Sequence, residues 1–581
     1  MVGVSSIPMG QTVVITATAE NVGPERYDHT ISVEDLLSGV AREEYLATIR
    51  RVSGLDVPNT GCIEFAILWR RLTNSRTNNL VRAILFAQQL ESRLDELGIT
   101  RGTLVCGESL EEPYVRVVED IAEGESLKTK QQDQTQSLFP LSILVRLFVI
   151  LLKMGAILGD WFIARLSALV REPAESSIVY IPPIERLGST LPVIESLDTD
   201  PQTVIAEPFW YYILQSDVKS QLASYSPTIL HRYLSALGFI GQIRDLGTIF
   251  REVLTTHSFA PALVDSVEAE FGVRIDTTVR SIVRDNLSNL RLIRSLVLQR
   301  PLQAMFAADQ IEKVVIGTLD PTGRAVVQEA SKHDIQLYHI PHSIATTRPP
   351  YPKTDVIQFV AGEWDVQYYE RVVPRDRWWR WVKVGRPYLS DLATQYGENT
   401  DSQSTDSSEH DRLRVVLATQ PFSLRVRTQF VETMLASLGS DRFEVTIKPH
   451  PDESVGLYED LTAEYENVRV IRDGLYEAIV ASDLTVTISS NVGLESIIIG
   501  TPTVCFNAWE PFRFEQTYAS AEEIPVLRSE ATFQAFVNQL DSNEISQLWS
   551  QQQAFVEDTY ILESNITADI ANYIESDPAD I

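Results

Sequence analysis

Leu484-Thr485-Val486-Thr487-Ile488-Ser489-Ser490-Asn491-Val492-Gly493-Leu494-Glu495 decides the fold of this chain. An apolar run of β type stops at small polar residues, and a helical spacing starts at once. Strand, polar turn and helix make the βα step of a parallel sheet, and that turn lies on the edge where such sheets bind ligands. The turn also aims a helix N-terminus at the same edge, where backbone N–H groups can meet an anion. Gly500-Thr501-Pro502 ends the helix before another apolar run at 503–506. About 40 residues upstream, Val445-Thr446-Ile447-Lys448-Pro449-His450-Pro451 shows the same strand-then-stop pattern with a histidine at its end. A histidine and a hydroxyl pair at one strand edge predict a site for a diphosphate or nucleotide phosphate.

Working outward, an α/β unit opens at 413–419, with strands expected at 443–448, 468–471, 484–488 and 503–506. Amphipathic spacing predicts helices at 531–540 and 545–560. An earlier α/β pattern runs through 178–181, 203–206, a helical stretch at 278–298, and strands at 314–317 and 336–340. Strands alternating with helices imply parallel sheets joined by right-handed crossovers. The expected class is α/β, with two Rossmann-like domains facing a cleft, an N-terminal α/β extension and an apolar helical insertion. Expected boundaries are 1–137 for the extension, 138–175 for the insertion, 176–390 for the first Rossmann-like domain, 391–411 for an acidic linker, 412–520 for the second domain and 521–581 for C-terminal helices.

Composition narrows the function. The 581 residues carry a net charge of −30, and only 9 of the 49 basic residues are lysine. An acidic, lysine-poor surface resembles the proteins of salt-in halophiles, haloarchaea among them, where a Debye length of about 3 Å at molar salt screens the self-repulsion. Nucleic acid is excluded as a partner, because no basic face exists to replace its counterions. Three cysteines, Cys62, Cys106 and Cys505, are too few and too far apart for a disulfide framework. No basic region followed by a long apolar stretch opens the chain, so a cytoplasmic location is expected.

The most apolar segment is 138–170. On a helix, Ser142, Arg146, Lys153 and Asp160 fall on one stripe with apolar residues around the rest. Arg146 and Lys153 near its middle would each cost about 2.5–3.5 kcal/mol in a spanning helix, so a helix lying in the membrane interface fits better. That would place the protein peripherally on the inner membrane face. A helix buried against another domain satisfies the same pattern.

Taken together, Lys448-Pro449-His450-Pro451, Ser489-Ser490-Asn491-Val492-Gly493-Leu494-Glu495 and Gly500-Thr501-Pro502 resemble the C-terminal half of GT-B glycosyltransferases that build surface and capsular polysaccharides. These include bacterial polysialyltransferases with a His-Pro motif and CDP-glycerol glycerophosphotransferases. The likeness is good over 412–515, fair over 310–387, fold-level over 177–300 and absent before that. It implies a donor linked to CMP, UDP or CDP, no tightly bound cofactor, and departure of the leaving phosphate without a bound metal. It further implies that His450 serves catalysis and the donor phosphate, with Ser489, Ser490 and Asn491 holding phosphate oxygens and Glu495 the ribose. Asp473, Gly474, Leu475, Thr419 and Gln420 would lie along the ribose and base. Plain turn and capping roles for the histidine and serines are the competing reading of each residue alone.

In the upstream half, Asp320, in Gly317-Thr318-Leu319-Asp320-Pro321-Thr322-Gly323, is the candidate general base toward an acceptor hydroxyl, although Asp-Pro-Thr-Gly is also good turn chemistry. Tyr338-His339-Ile340-Pro341-His342-Ser343 stands where these families end a strand in His-Gly, with Ser343 replacing the glycine. His342 follows the strand end and is a catalytic candidate, whereas His339 points into the sheet. No cysteine or acid accompanies the two histidines at ligand spacing, so no metal site is assigned. Gly188 and Ser189 are placed on the acceptor side. The expected activity is transfer of a sugar from a nucleotide donor to a surface glycan or lipid-linked acceptor. Alternatives are polyol-phosphate transfer, UDP-sugar 2-epimerisation, and a non-catalytic scaffold of the same fold.

Overall fold

The computed structural model describes residues 11–16, 28–38, 40, 42–53, 55, 80–106, 110, 112–125, 127–131, 155, 159–165, 176–206, 216–255, 260–287, 290–308, 310–319, 321–341, 356–372, 380–397, 412–422, 424–451, 453–508, 517–563 and 565–576. Asp320, His342, Cys62 and most of 138–170 lie outside them.

The first sheet contains β1 (Gln11–Thr16), β2 (His29–Ser32), β3 (Gly102–Cys106) and β4 (Lys128–Gln131), in the order β2-β1-β3-β4. The second contains β5 (Ile178–Ile181), β6 (Gln202–Ile205), β7 (Thr228–Ile229), β8 (Lys313–Ile316), β9 (Gln336–His339), β10 (Val356–Val360) and β11 (Arg380–Lys383), ordered β11-β10-β9-β8-β5-β6-β7. The third contains β12 (Leu413–Ala418), β13 (Phe443–Lys448), β14 (Val468–Val470), β15 (Leu484–Thr487), β16 (Thr503–Phe506) and β17 (Val526–Leu527), ordered β14-β13-β12-β15-β16-β17. The described pairings in all three are parallel, as the alternation of strands and helices demanded.

In the third sheet the chain winds from β12 to β14 on one side, then jumps back to place β15 next to β12. Connections leave in opposite directions there, so the helices part and a crevice opens at the strand ends. The second sheet has the same reversal between β5 and β8. The stretch 484–490 supplies β15 and the turn at the crevice, as its pattern predicted.

The N-terminal sheet shares one core with helices Ala236–Thr255, Ala260–Phe271 and Asp276–Leu287, which lie between β7 and β8. Asp120 fixes this junction by accepting from the backbone N–H and hydroxyl of both Thr277 and Thr278, at 2.6–3.0 Å. The helical stretch at 278–298 divides into Asp276–Leu287 and Leu290–Ala308.

Residues 521–581 are more than terminal helices. They contribute β17 to the third sheet, and their last helix, Ile566–Glu575, returns to the second. Its Ile566, Ile570 and Ile574 join a core with Tyr180, Tyr338 and Phe359. The Lys313 ammonium caps its C-terminal end, donating to the carbonyls of Ile574, Glu575 and Ser576 at 2.6, 3.1 and 3.0 Å. A cation there satisfies orphan carbonyls and opposes the helix dipole. The helix Pro387–Tyr396 crosses the other way, packing Leu389 and Leu392 against Leu494 and Ile497. The chain thus bridges the two large units twice. No described helix is long and apolar enough to cross a membrane.

Candidate functional site

The register of the third sheet brings the separated motifs together. Ala418 pairs with Lys448 on one side and Thr487 on the other, and Thr487 pairs with Cys505. Two residues beyond that row stand His450, Gln420, Ser489 and Asn507, at the heads of four adjacent strands. Neighbouring strands lie about 4.8 Å apart, which puts the His450 and Ser489 backbones roughly 10 Å from each other across the crevice.

Hydrogen bonds hold this row. Gln420 extends the ladder past its strand: its amide donates to the Ser489 carbonyl at 3.2 Å and accepts the Ser489 N–H at 2.9 Å. Glu453 ties the other side. Its carboxylate accepts from the His450 N–H at 2.8 Å, the Tyr458 hydroxyl at 2.9 Å and the Thr419 hydroxyl, with the Arg427 guanidinium 3.4 Å away. Thr419 and Gln420, expected along the ribose and base, therefore spend their polar groups on holding loops.

The serines occupy different depths. Ser490 caps the Asn491–Ile498 helix, its hydroxyl accepting from the Val492 N–H at 3.3 Å, and its carbonyl takes the Tyr518 hydroxyl at 2.6 Å. Ser489 is wholly buried, and its hydroxyl has no hydrogen-bond partner. The Asn491 Oδ1 and both side-chain atoms of buried Asn507 are in the same state. A buried polar group left unpaired costs about 1–3 kcal/mol, and these four atoms lie on the strand-end row and at the helix start, where a polar ligand would relieve that cost. Gly493 is required by packing: a Cβ there would come within 2.0 Å of the Tyr518 oxygen.

Glu495, on the next turn, is buried and accepts from the Tyr476 hydroxyl at 3.0 Å. Burial raises its pKa to about 7, against 4.5 for an ordinary glutamate, while the tyrosine hydrogen bond pulls the other way. The fold therefore favours the protonated form. Stability from this group is complete below about pH 4.5 and is lost as pH rises through 7. Between pH 5 and 8 the wild type is expected to lose up to about 3 kcal/mol relative to Glu495→Gln, read from unfolding curves at the two pH values. Parallel curves for the two proteins would refute this placement of the carboxyl.

Tyr388, on the bridging helix Pro387–Tyr396, packs against the core that holds Leu494 and feels the charge of this carboxyl. Burial raises its phenol pKa well above the ordinary value, and Glu495 raises it further. Its hydroxyl is buried without a partner. Lys448 is buried at the end of β13, donating to the Pro449 carbonyl at 2.8 Å; desolvation lowers its pKa, against the pull of Asp473 and Glu453. Asp473 is exposed, and Gly474 adopts φ +75° before the Leu475–Val480 helix, a conformation that favours glycine.

On the second sheet, Gly188 is exposed and Ser189 half-buried at the end of the 3₁₀ turn Ile184–Ser189. That turn follows β5, one of the two strands flanking the reversal. Asp320 and His342 lie outside the described residues; in sequence Asp320 falls between β8, the other flanking strand, and the helix Pro321–Ala330, and His342 follows Pro341. His339 is buried within β9. Asn507, Glu453 and Tyr388 were not singled out by sequence: Asn507 is visible only through strand register, Glu453 only through its four neighbours, and Tyr388 only through the crossing of the units.

No protein-family model matches the chain, and no curated protein matches it. Solved structures overlap it loosely. UDP-GlcNAc 2-epimerase from Neisseria meningitidis bound to UDP-GlcNAc is 12% identical, with a TM-score of 0.38 over 68% of this chain and 98% of that one. The wall teichoic acid polymerase TagF soaked with CDPG is 15% identical, with a TM-score of 0.30 over 47% of this chain and 72% of that one. MnaA from S. aureus with UDP is 10% identical, with a TM-score of 0.39 over 68% and 95%. The fold is GT-B. Two parallel α/β units, each with a switch point and linked by helices that cross both ways, establish it; substrate and reaction rest on this chain's own residues.

Proposed function

We propose that this protein is a glycosyltransferase that takes a sugar from a nucleotide-activated donor and delivers it to a glycan or lipid-linked acceptor. The observation that carries the reading is the row of His450, Gln420, Ser489 and Asn507 at the switch point, with orphaned buried polar atoms beside a helix N-terminus. A nucleotide diphosphate supplies acceptors for the Ser489 hydroxyl and the Asn507 amide nitrogen, while the Asn491 and Asn507 amide oxygens, acceptors themselves, would take hydrogen bonds from hydroxyls of the donor. Its oxygens would take hydrogen bonds from Ser490, Asn491 and the helix N–H groups, with Ser489 and Asn507 engaged as the anion seats in the crevice. His450 would donate to the leaving phosphate, stabilising charge where it develops. Glu495 and Tyr388 are suited to the ribose diol, since a protonated carboxyl and a phenol can each donate and accept. Asp473, Gly474 and Leu475 would border the base.

The acceptor would enter from the β5/β8 edge, past Gly188 and Ser189, with Asp320 as general base and His342 as a second catalytic group. Transfer of a polyol phosphate would use the same donor subsite and differ only in the atom attacked; product analysis separates the two outcomes.

His450→Ala tests the reading. With a radiolabelled pool of CMP-, UDP-, GDP- and CDP-linked donors at molar KCl, the variant is expected to lose about 10²–10³-fold in kcat while keeping its fold. One nucleotide should raise the melting temperature of the wild type more than the others, and that preference should vanish in His450→Ala. Undiminished turnover in the variant would overturn the assignment of His450, and conversion of a free UDP-sugar to its 2-epimer would replace transfer by epimerisation.

A further inference from the structure

We propose that the outward face of the Ala236–Thr255 helix, continued by Phe162, docks the protein on an anionic lipid bilayer. The inference stands apart from the donor site and would survive its failure. Leu237 is 81% exposed, Ile240 63%, Ile243 37% and Phe162 60%, unusual values for large apolar side chains. Along the helix, Leu237, Ile240 and Ile243 follow one another at intervals of three, which keeps them on one side. Phe239, Gln242 and Leu246 of the same helix are buried, so the outward face is set by the packing of the inner one.

The segment bearing Phe162 is anchored beside this face. Trp161 stacks on Phe239 with ring centroids 4.9 Å apart and donates its indole N–H to the Leu234 carbonyl at 3.1 Å. Arg165 donates to the same carbonyl at 2.8 Å. Phe162 is thereby held outward next to the start of the Ala236–Thr255 helix.

Charge selects the occupant. The chain carries −30 overall, so most of its surface is repelled by anionic headgroups. The stretch 138–170 reverses that sign, with Arg146, Lys153 and Arg165 against Asp160 alone, and Asp160 is buried. Arg165 and Arg244 are exposed on the elements that form the patch. An apolar face with flanking arginines is the chemistry of a helix lying in a bilayer interface, its apolar side chains entering the acyl boundary and its guanidinium groups at the headgroups. Contiguous exposed apolar patches on soluble proteins mark contact sites. A bilayer fits this one because Arg165 and Arg244 are exposed beside the apolar residues, while Asp245 on the same helix is tied to Arg300. At molar salt the headgroup attraction is screened beyond about 3 Å, leaving the apolar contacts to carry the binding.

The test is flotation of the full chain with phosphatidylcholine vesicles, with and without phosphatidylglycerol. The wild type is expected to float with the anionic vesicles, and Leu237→Glu/Ile240→Glu to lose at least about tenfold in apparent affinity. Trp549→Glu, at an exposed apolar residue elsewhere, is expected to float as the wild type does. Circular dichroism melts check that the double variant is folded; if it is not, Arg165→Glu/Arg244→Glu serves instead and is expected to remove the preference for phosphatidylglycerol. Absence of wild-type flotation, or equal flotation of folded patch variants, would overturn the proposal. A wild-type dimer that the double variant splits, with no vesicle binding, would assign the face to a second copy of the chain.

Discussion

Glu453→Ala is expected to remove about 3–5 kcal/mol of stability, the cost of leaving a buried cation and its hydrogen-bonding neighbours without their carboxylate. The Glu453 side chain is fully buried, and Arg427 is only 19% exposed. Four groups depend on the carboxylate: the His450 N–H, the hydroxyls of Thr419 and Tyr458, and the Arg427 guanidinium. Alanine fills none of that space. The loops after β12 and β13 then lose their common tie, so nucleotide-dependent stabilisation should disappear along with the stability. Urea unfolding gives the first quantity and thermal shift with nucleotide the second. Glu453→Gln should lie between alanine and wild type, since a neutral amide keeps an acceptor oxygen and the volume while losing the charge. A loss below about 1 kcal/mol in Glu453→Ala, the range of exposed ion pairs, would contradict the central place given to this residue.

Arg386→Ala carries the other large effect. Arg386 and Asp365 are 2% and 0% exposed, and their nearest charged atoms are 3.7 Å apart. The Arg386 guanidinium donates to the Pro341 carbonyl at 2.6 Å, and Asp365 accepts the Ala361 N–H at 3.0 Å. Burial raises the Asp365 pKa more than Arg386 lowers it, so the pair is not held by attraction alone. Removing the cation leaves a buried carboxyl without its compensating charge, for which about 3–5 kcal/mol is the expected cost. Arg386→Met with Asp365→Asn should recover most of it, because the desolvation penalty then falls on neither side. Urea unfolding of the single and double variants measures the difference. Pro341 immediately precedes His342, so the double variant should recover stability more fully than turnover. Equal recovery of both would remove any link between this pair and the role proposed for His342.

Five of the six strands of the third sheet, all but β17, could be read from the chain because each is short, apolar and ended by a small or polar residue. The run 484–488 and the run 443–448 announce themselves by composition, and their order along the chain implies βα units. The helices at Glu530–Gln539 and Ser542–Thr559 were equally legible from amphipathic spacing. Between β7 and β8 the stretch 278–298 was read as helical, but the helices Ala236–Thr255 and Ala260–Phe271 were not, because their apolar faces serve a core shared with the N-terminal sheet, and that partner is more than 100 residues away in sequence. The return of Ile566–Glu575 to the second sheet was hidden for the same reason: its isoleucine spacing shows that a face is buried, not against what.

Sequence alone determined that this is a parallel α/β protein whose polar strand ends carry a histidine and two serines, with a glutamate on the helix that follows, since local periodicity and turn chemistry act within a few residues. Only tertiary structure decided that Ser489 lies beneath the surface and Ser490 at it, that Gln420 and Glu453 brace the row, and that Tyr388, on a helix of the opposite unit, comes within electrostatic reach of Glu495. Those outcomes depend on strand register and on which helix crosses which boundary. Both are settled by burial of distant side chains against each other, a free energy that no local stretch of the chain contains.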